Sequence, residues 1–255
     1  MANVQRHDPI REKYYRPVEW GERACDVLFW VTTVASVALI VTDRNEYHRA
    51  YDLLQMGLVT TVVTAFLLSM AVRLYWQPRA LTARAADLLS QSYGVPLSHE
   101  ITVGYYNNPL PHGNRRLAAT LLENSFFSKE VAKAMCAMER VRATAGVLIF
   151  ILMMREDDLA FASAAAATVF GEQIIVRYLR LEWFRIRCEA SFSRLYNLFV
   201  DSPPEPTFTA KAVEGLNLYE SGKALAGITL SDRIFKKCNA QLSGEWDSIR
   251  HTLGI

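Results

Sequence analysis

The chain has 255 residues, of which 51% are hydrophobic and 21% charged, and its formal net charge is +2 at pH 7. This near-neutral balance, without a polybasic tail, gives no reason to expect direct DNA binding. The averages resemble those of a soluble protein, but the hydrophobic residues are concentrated in four runs, near 27–42, 53–76, 144–154 and 159–175. The sequence therefore predicts an all-α membrane protein with a substantial water-exposed part.

The N-terminal segment, residues 1–26, mixes basic with acidic residues, and no early apolar core is followed by a small-residue cleavage site. We therefore expect no removable signal peptide. The cysteines lie singly in separate segments without metal-type spacing, at Cys25, Cys136, Cys188 and Cys238. This pattern predicts reduced, buried thiols, with neither a disulfide nor a metal site.

The first run, Val27–Val41, is joined to the second by the short polar linker at 43–52, and together they predict an antiparallel transmembrane hairpin over residues 27–76. The second run, Leu53–Trp76, contains a single charge, Arg73, and about 20 helical residues suffice to cross a bilayer core. The alternative is a helix buried inside a large soluble core. Small residues recur every fourth position on one face of this run, and in lipid such a face favours helix packing: Gly57, Thr61, Ala65 and Ser69.

The third and fourth runs predict a second transmembrane hairpin over residues 143–181, with a tight turn at 154–158. Because the third run has only about 11 apolar residues, two spans plus an interfacial hairpin is the alternative. Glu172 lies near the end of the fourth run. An ionisable group at that depth faces a bundle interior or pore, or pairs with a neighbouring arginine such as Arg177 at the interface.

The distribution of basic residues predicts the topology. The linker at 43–52 and the turn at 154–158 hold three Lys and Arg residues, which leaves 25 of the 28 on the opposite side. By the positive-inside rule both termini are cytoplasmic in a multi-pass protein. The cytosolic parts are then the N-terminal segment, a helical insert at 77–142 and the C-terminal region at 182–255.

Within the insert, Pro78 is predicted to end the second span, and the helix that follows closes at Gly94. The Pro- and Gly-rich stretch 95–114 predicts a loop. A further helix begins at Asn114, with a predicted break at Asn124–Ser125 and Ser128 capping the part that follows.

The C-terminal region is predicted to begin as an amphipathic stalk that continues from the fourth run. The sequence DSPPEP at 201–206 breaks this stalk. Two further amphipathic helices follow, the second of them capped at Ser231–Asp232.

Two cytosolic stretches are candidates for ligand or partner contact. The first offers aromatic faces and amide groups that suit a base or a sugar: Tyr105, Tyr106, Asn107 and Asn108. The second offers basic side chains that suit a phosphate-bearing ligand: Arg115, Arg116, Lys129 and Lys133. The structural alternatives are a packed turn and a solvated helix face, and composition favours these alternatives.

The sequence contains no GxSxG, HExxH or P-loop pattern, and its five histidines are scattered. We therefore predict no catalytic residues, no metal, no cofactor and no enzymatic activity.

The order of hairpin, cytosolic helical insert and second hairpin resembles the SMODS-associating four-transmembrane effectors of bacterial antiphage systems. The stretches GYYNNP at 104–109, ENSFFSKEV at 123–131 and LSDRIFKKCNAQLSGEWDSIRHTL at 230–253 are also similar to membrane effectors encoded beside retrons and related defence operons. The positions that match are Tyr105, Tyr106, Asn107, Asn108, Glu123, Asn124, Phe126, Phe127 and Ser128, and the resemblance assigns no role to them.

This resemblance implies a homo-oligomeric effector in the bacterial inner membrane that permeabilises the membrane on activation and causes abortive infection. Its trigger would be a nucleotide second messenger or a protein partner in a defence complex. The alternatives are a non-defence membrane scaffold or sensor, and a small ion channel. The lack of broken helices and of paired intramembrane charges argues against a secondary transporter.

Overall fold

The computed structural model of the protein describes residues 7–106, 108–153 and 171–255, apart from the side chains at 40, 145, 146, 149–153 and 171–173. Over these ranges the chain is helical and contains no strand, and His7 and Val103 form an isolated antiparallel bridge. The all-α prediction is confirmed for this part of the chain. Asn107, the turn at 154–158 and most of the fourth apolar run lie outside the described residues.

The described ranges contain seven α-helices: α1 (Arg16–Val41), α2 (His48–Ala71), α3 (Gln77–Tyr93), α4 (Asn114–Met153), α5 (Arg177–Asp201), α6 (Glu205–Ala226) and α7 (Asp232–Leu253). A π-helical turn directly precedes three of them, at Arg11–Tyr15, Val72–Trp76 and Gly171–Val176. The turn at Val72–Trp76 joins α2 and α3 into one continuous helix.

Pro78 does not end the second helix, so that prediction is wrong. Proline removes one backbone donor and crowds the carbonyl four residues earlier. A π-helical turn is a place where a helix absorbs such a defect, and Val72–Trp76 stands directly before Pro78. The helix ends where predicted, at Gly94, whose φ of +70° suits glycine. A Cβ at Gly94 would lie only 3.0 Å from the ring of His112.

Helix α4 runs through Asn124–Ser125 without the predicted break. Ser128 caps no helix, because its hydroxyl lies 2.8 Å from the hydroxyl of Tyr219 on α6. Ser125 bonds the carbonyl of Leu122 in its own helix. Both serines thus find partners with the helix intact, which removes the reason for a break.

The chain divides into two compact units. The first, which we call the core unit, comprises the residues up to Arg16, Gln77–Cys136 and Arg180–Ile255. Its interior is a conventional apolar core built from α3 to α7, with Leu117, Leu121, Phe126, Leu181, Leu195 and Phe208 among its buried side chains. The close approach of α6 to α5 requires Gly215, since a Cβ there would lie 2.7 Å from Leu195.

Helix α5 continues directly from the π-helical turn Gly171–Val176, and most of it packs by one face within the core unit. Apolar and small side chains along it are buried, and they face the same core as α4 and α6. Helix α5 ends at Asp201 and α6 begins at Glu205, so the predicted break at DSPPEP is confirmed. The cap on α7 is also confirmed, because the Ser231 hydroxyl accepts a hydrogen bond from the Ile234 amide.

The second unit, which we call the apolar unit, comprises Pro17–Trp76 and Ala137–Leu179. Within it the start of α1 packs against the π-helical turn that follows α2, because a Cβ on Gly21 would lie 2.4 Å from Val72 and 2.9 Å from Trp76. Since only a short segment links Val41 to α2, the two helices are antiparallel, as predicted for the first hairpin.

One described helix, from His48 to Tyr93, is long and apolar enough to cross a bilayer. Only 11% of its most apolar 18-residue window is buried within the chain. The core helix of a soluble protein would be mostly buried. The helix is therefore compatible with membrane association, which is the coarse form of the sequence prediction.

None of the four cysteines, all of which lie within the described residues, forms a disulfide. Cys25, Cys136 and Cys188 are buried, as predicted, whereas Cys238 on α7 is half-buried.

Candidate functional site

Four charged side chains from three helices meet in the apolar unit, and we call them the ion-pair cluster: Asp26, Glu139, Arg142 and Arg177. Arg177 donates to the Asp26 carboxylate at 3.1 Å, and its Nε lies 3.9 Å from Glu139 Oε1. Arg142 donates to the same oxygen of Glu139 at 3.2 Å. The cluster therefore connects α1, α4 and α5 through the guanidinium of Arg177, which pairs with Asp26 on α1 and Glu139 on α4.

Glu139 is the buried member of this cluster, with 4% of its side chain exposed. An ionised carboxylate buried in apolar surroundings is strongly unfavourable unless it is paired. The two arginines supply that pairing. The sequence analysis identified Arg177 as a partner for an acidic residue but missed Glu139. The signal that could have identified Glu139 is its position next to the predicted third span, on the side predicted to carry most of the arginines.

The small-residue face of α2 divides into a packed half and an open half. Ala65 and Ser69 are buried, whereas nothing lies within 4 Å of a Cβ placed on Gly57 among the described residues. Thr61 bonds the Gly57 carbonyl at 2.8 Å. Only Ala65 and Ser69 thus form an internal packing surface. The backbone of Glu172 lies in the π-helical turn Gly171–Val176.

Two inward-facing hydroxyl groups on α1 were not identified from the sequence. Thr32 and Ser36 are each 2% exposed. Their hydroxyls bond backbone carbonyls one turn earlier, at 2.8 Å in both cases. Two hydroxyl groups on α1 are thus turned inward together with the apolar side chains of Val18 and Leu39, while other large apolar side chains, such as Trp30 and Val34, are exposed.

The candidate loop of the core unit has a structural role at Asn108. Its amide nitrogen donates to the Arg116 carbonyl and the Thr120 hydroxyl, both at 3.1 Å. Its amide oxygen accepts from the Leu110 amide at 3.0 Å. These bonds occupy the Asn108 side chain within the loop and favour the packed-turn interpretation.

The four predicted basic contacts do not converge on one site. Arg116 donates to the Leu110 carbonyl at 3.0 Å, and Arg115 lies over the ring of Phe208 at 5.1 Å. Each arginine therefore serves the packing around the start of α4.

The two lysines are engaged within α4 and its core contacts. Both form ion pairs with Glu130 on their own helix, at 3.6 Å from Lys129 and 3.9 Å from Lys133. The ammonium of Lys129 also lies 4.0 Å from the ring centroid of Phe192. Lys129 thus covers the aromatic core, and Lys133 is the more exposed of the pair.

Tyr105 and Tyr106 belong to a polar cluster around Arg84, which sequence reasoning missed. The guanidinium carbon of Arg84 lies 4.2 Å from the ring centroid of Tyr105 and 5.5 Å from that of Tyr15. Its Nη2 bonds both carboxylate oxygens of Asp8, at 2.7 and 3.0 Å. Tyr106 packs edge-on against Tyr105 and against the apolar core. We call this group the Arg84 cluster.

Burial controls the ionisation of this cluster. It raises the pKa of Tyr15 to about 12 and the pKa of Tyr106 well above its ordinary value, so both phenols stay neutral. Burial lowers the pKa of Arg84, but Tyr105 and the Asp8 carboxylate outweigh it and raise the pKa overall. The cluster therefore holds one fixed positive charge and one carboxylate.

Glu123, which the resemblance matches without assigning it a role, is a half-buried residue on α4. Partial burial raises the pKa of its carboxyl from 4.5 to about 7, with a smaller opposing effect from Arg250 on α7. The charge of Glu123 therefore changes near neutral pH, unlike that of an ordinary glutamate.

Among the described residues, no group of three or more His, Cys, Asp or Glu side chains has an arrangement that could hold a metal ion. No model of a known protein family matches the chain, and neither a curated protein nor a solved structure matches it.

Proposed function

We propose that this protein is a multi-pass effector of the bacterial inner membrane that acts in antiphage defence. On activation it permeabilises or depolarises the membrane, and abortive infection follows. The observation that carries the proposal is the exposed apolar surface of the apolar unit. Large apolar side chains point away from the chain on both α1 and α2, including Trp30, Val34, Leu53, Met56, Phe66 and Leu67.

Such a surface is far more apolar than the exterior of a soluble monomer, which rarely exposes large contiguous apolar patches. A bilayer is the solvent that accepts it, because lipid chains contact apolar side chains without the penalty that water imposes. The basic residues concentrated outside the linker at 43–52 support cytoplasmic termini. In this topology residues 27–76 and 143–181 are the two transmembrane hairpins, and the core unit is cytosolic.

The ion-pair cluster supports a protein that is silent at rest. Asp26 precedes the first apolar run, Glu139 precedes the third, and Arg177 follows the fourth. Their pairing holds three helices together at the ends of the predicted spans. Opening requires that these contacts rearrange, which makes the resting state stable and the open state dependent on a trigger.

Self-association is the second part of the proposal. The open half of the α2 face, around Gly57 and Thr61, offers a small-residue surface to a second copy in lipid. The trigger is a nucleotide second messenger or a defence-complex protein, and the core unit is the part that senses it.

The proposal is tested first by topology. In a variant with the four cysteines replaced by serine, Asn45→Cys should react with a membrane-impermeant maleimide in intact cells. His99→Cys, in the exposed loop after α3, should react only after lysis. Labelling of His99→Cys in intact cells would contradict the cytosolic assignment of the core unit.

The activity is tested by inducing the protein in bacteria and following growth together with a potential-sensitive dye. We expect growth arrest and depolarisation that are lost in Gly57→Leu and in Glu172→Ala. Arg194→Gln, which removes an exposed ion pair on α5 with Glu214, serves as the control and should behave as the unmodified protein. Growth arrest with an intact membrane potential would instead favour a scaffold or sensor.

A further inference from the structure

The segment that precedes α1, residues 7–15, is anchored on the core unit by contacts with separate elements, and we call it the N-terminal strap. Its backbone pairs with Val103 through two hydrogen bonds of 3.0 and 3.1 Å. Ile10 is fully buried, and Arg11 forms an ion pair with Asp232 on α7. The strap continues without interruption into α1.

The contact between the strap and Arg84 is incomplete. Both carboxylate oxygens of Asp8 bond the same nitrogen, Nη2, of Arg84. The other terminal nitrogen, Nη1, is buried and has no hydrogen-bond partner among the described residues. An arginine normally binds an oxyanion through two parallel bonds from two nitrogens. Asp8 therefore satisfies only one of the two terminal nitrogens, and a buried donor remains unsatisfied.

The surroundings of Arg84 hold its guanidinium in place. The rings of Tyr15 and Tyr105 lie against it. Other carboxylates nearby are already engaged. Asp87 accepts hydrogen bonds from the hydroxyl and the amide of Thr102, and Glu220 on α6 is paired with a lysine one turn later in the same helix.

We propose that Arg84 is the centre of a binding site for a phosphate group, at which Asp8 of the strap acts as a built-in competing ligand. A phosphate group presents several oxygens around one centre, so it can accept from Nη1 and Nη2 together. A bound phosphate thereby satisfies the donor that Asp8 leaves unpaired. Because ligand and Asp8 compete for one guanidinium, binding releases the strap.

Soluble nucleotides and phospholipid headgroups both carry the required phosphate chemistry. The proposal deepens the sensing role given above to the core unit. The tests below measure phosphate binding and release of the strap, not membrane depolarisation. A failure to bind phosphate would therefore not contradict the proposed membrane activity, and a failure to depolarise the membrane would not contradict a measured phosphate affinity.

The first test measures binding of inorganic phosphate to the full-length protein in a non-phospholipid detergent by titration calorimetry. We expect Asp8→Asn to bind phosphate at least tenfold more tightly than the unmodified protein, because the competitor is removed. Glu214→Gln, which removes an exposed ion pair with Arg194, is the matched control and should not change the affinity. Equal affinity in Asp8→Asn and the unmodified protein would overturn the proposal.

Arg84→Lys combined with Asp8→Asn keeps the charge but not the planar pair of donors. We expect at least a tenfold loss of phosphate affinity relative to Asp8→Asn alone, with an unchanged thermal midpoint showing that the fold is intact. If the lysine variant is folded and binds phosphate as tightly, the site is not centred on Arg84 and the proposal is wrong.

The second test follows the strap itself by limited trypsin digestion at Lys13, which the structure pairs with Glu100. Saturating phosphate should raise the cleavage rate at least fivefold. A disulfide between His7→Cys and Val103→Cys, formed across the backbone pair, should abolish this increase, and reduction should restore it. Cleavage that does not respond to saturating phosphate would refute displacement of the strap.

The source of the phosphate group is distinguished by two further probes in the same digestion. Faster cleavage with adenosine monophosphate in detergent identifies a soluble nucleotide. Faster cleavage in phosphatidylglycerol nanodiscs, but not in phosphatidylcholine nanodiscs, identifies an anionic headgroup. Absence of a response to phosphate and to both probes would overturn the proposal.

Discussion

Glu123 is expected to make the core unit less stable as the pH rises through neutrality. This residue is half-buried on α4, and desolvation of its carboxyl raises the pKa from 4.5 to about 7. Below pH 4.5 the group is protonated in both the folded and the unfolded chain and costs nothing. As the pH rises, the unfolded chain releases the proton first, so the free energy of unfolding falls until the pH exceeds about 7.

The magnitude follows from the two pKa values. One pKa unit corresponds to about 1.4 kcal/mol, so a difference of this size lowers the free energy of unfolding by about 3 kcal/mol between pH 4.5 and pH 8. Glu123→Gln removes the titrating group and keeps a side chain of similar shape. We therefore expect the variant to be about 3 kcal/mol more stable than the unmodified protein at pH 8 and nearly equal to it at pH 4.5.

The measurement is urea unfolding of the full-length protein in detergent at pH 4.5, 6, 7 and 8, monitored by tryptophan fluorescence. Trp246 lies on α7, packed against Phe126 of α4, and reports on this part of the core. Glu245→Gln, at an exposed position on α7, is the control and should retain the pH dependence of the unmodified protein. If Glu123→Gln has that same pH dependence, burial does not shift the Glu123 pKa as described.

Two further predictions concern the apolar unit. Glu139→Gln leaves two arginines around an uncharged group. Because removal of one member of a buried ion pair costs about 3–5 kcal/mol, we expect a lower thermal midpoint in detergent. An unchanged midpoint would show that the ion-pair cluster contributes nothing to stability. Ala65→Leu overpacks a buried position and should lower the free energy of unfolding by about 1–3 kcal/mol. Gly57→Leu places its side chain in open space, so the thermal midpoint should stay unchanged. The same variant should reduce chemical cross-linking between copies in membranes. Equal destabilisation by the two leucine substitutions would contradict the division of the α2 face into a packed and an open half.

The sequence was sufficient where local chemistry decides the structure. Gly94 ends α3 because its positive φ is disfavoured for other residues, and Ser231 begins α7 because its hydroxyl accepts from the third residue of the helix. Apolar periodicity likewise identified the helices. These signals depend on neighbours within a few positions, which a sequence displays directly.

The wrong prediction at Ser128 and the missed role of Arg84 concern residues whose partners are distant in sequence. Ser128 has the composition of a cap, but its partner Tyr219 lies 91 positions away and keeps α4 continuous. Arg84 appears as one charge on an amphipathic helix, although its ligand Asp8 lies 76 positions earlier. The roles of Tyr105 and Tyr106 could not be chosen from composition, because packing and ligand contact require the same aromatic side chains.

The two faces of α1 bear on the proposal that the apolar unit opens on activation. On α1 the apolar residues Trp30 and Val34 face outward, whereas Thr32 and Ser36 face inward. Their hydroxyls bond carbonyls of their own helix, so neither hydroxyl is left without a partner. If the helices separate, as the function we propose requires, the same hydroxyls bond water without losing a partner on another helix. Under that proposal the separation is opposed by lost packing and by the ion-pair cluster, and Glu139 with its two arginines forms the contacts that a trigger would have to break.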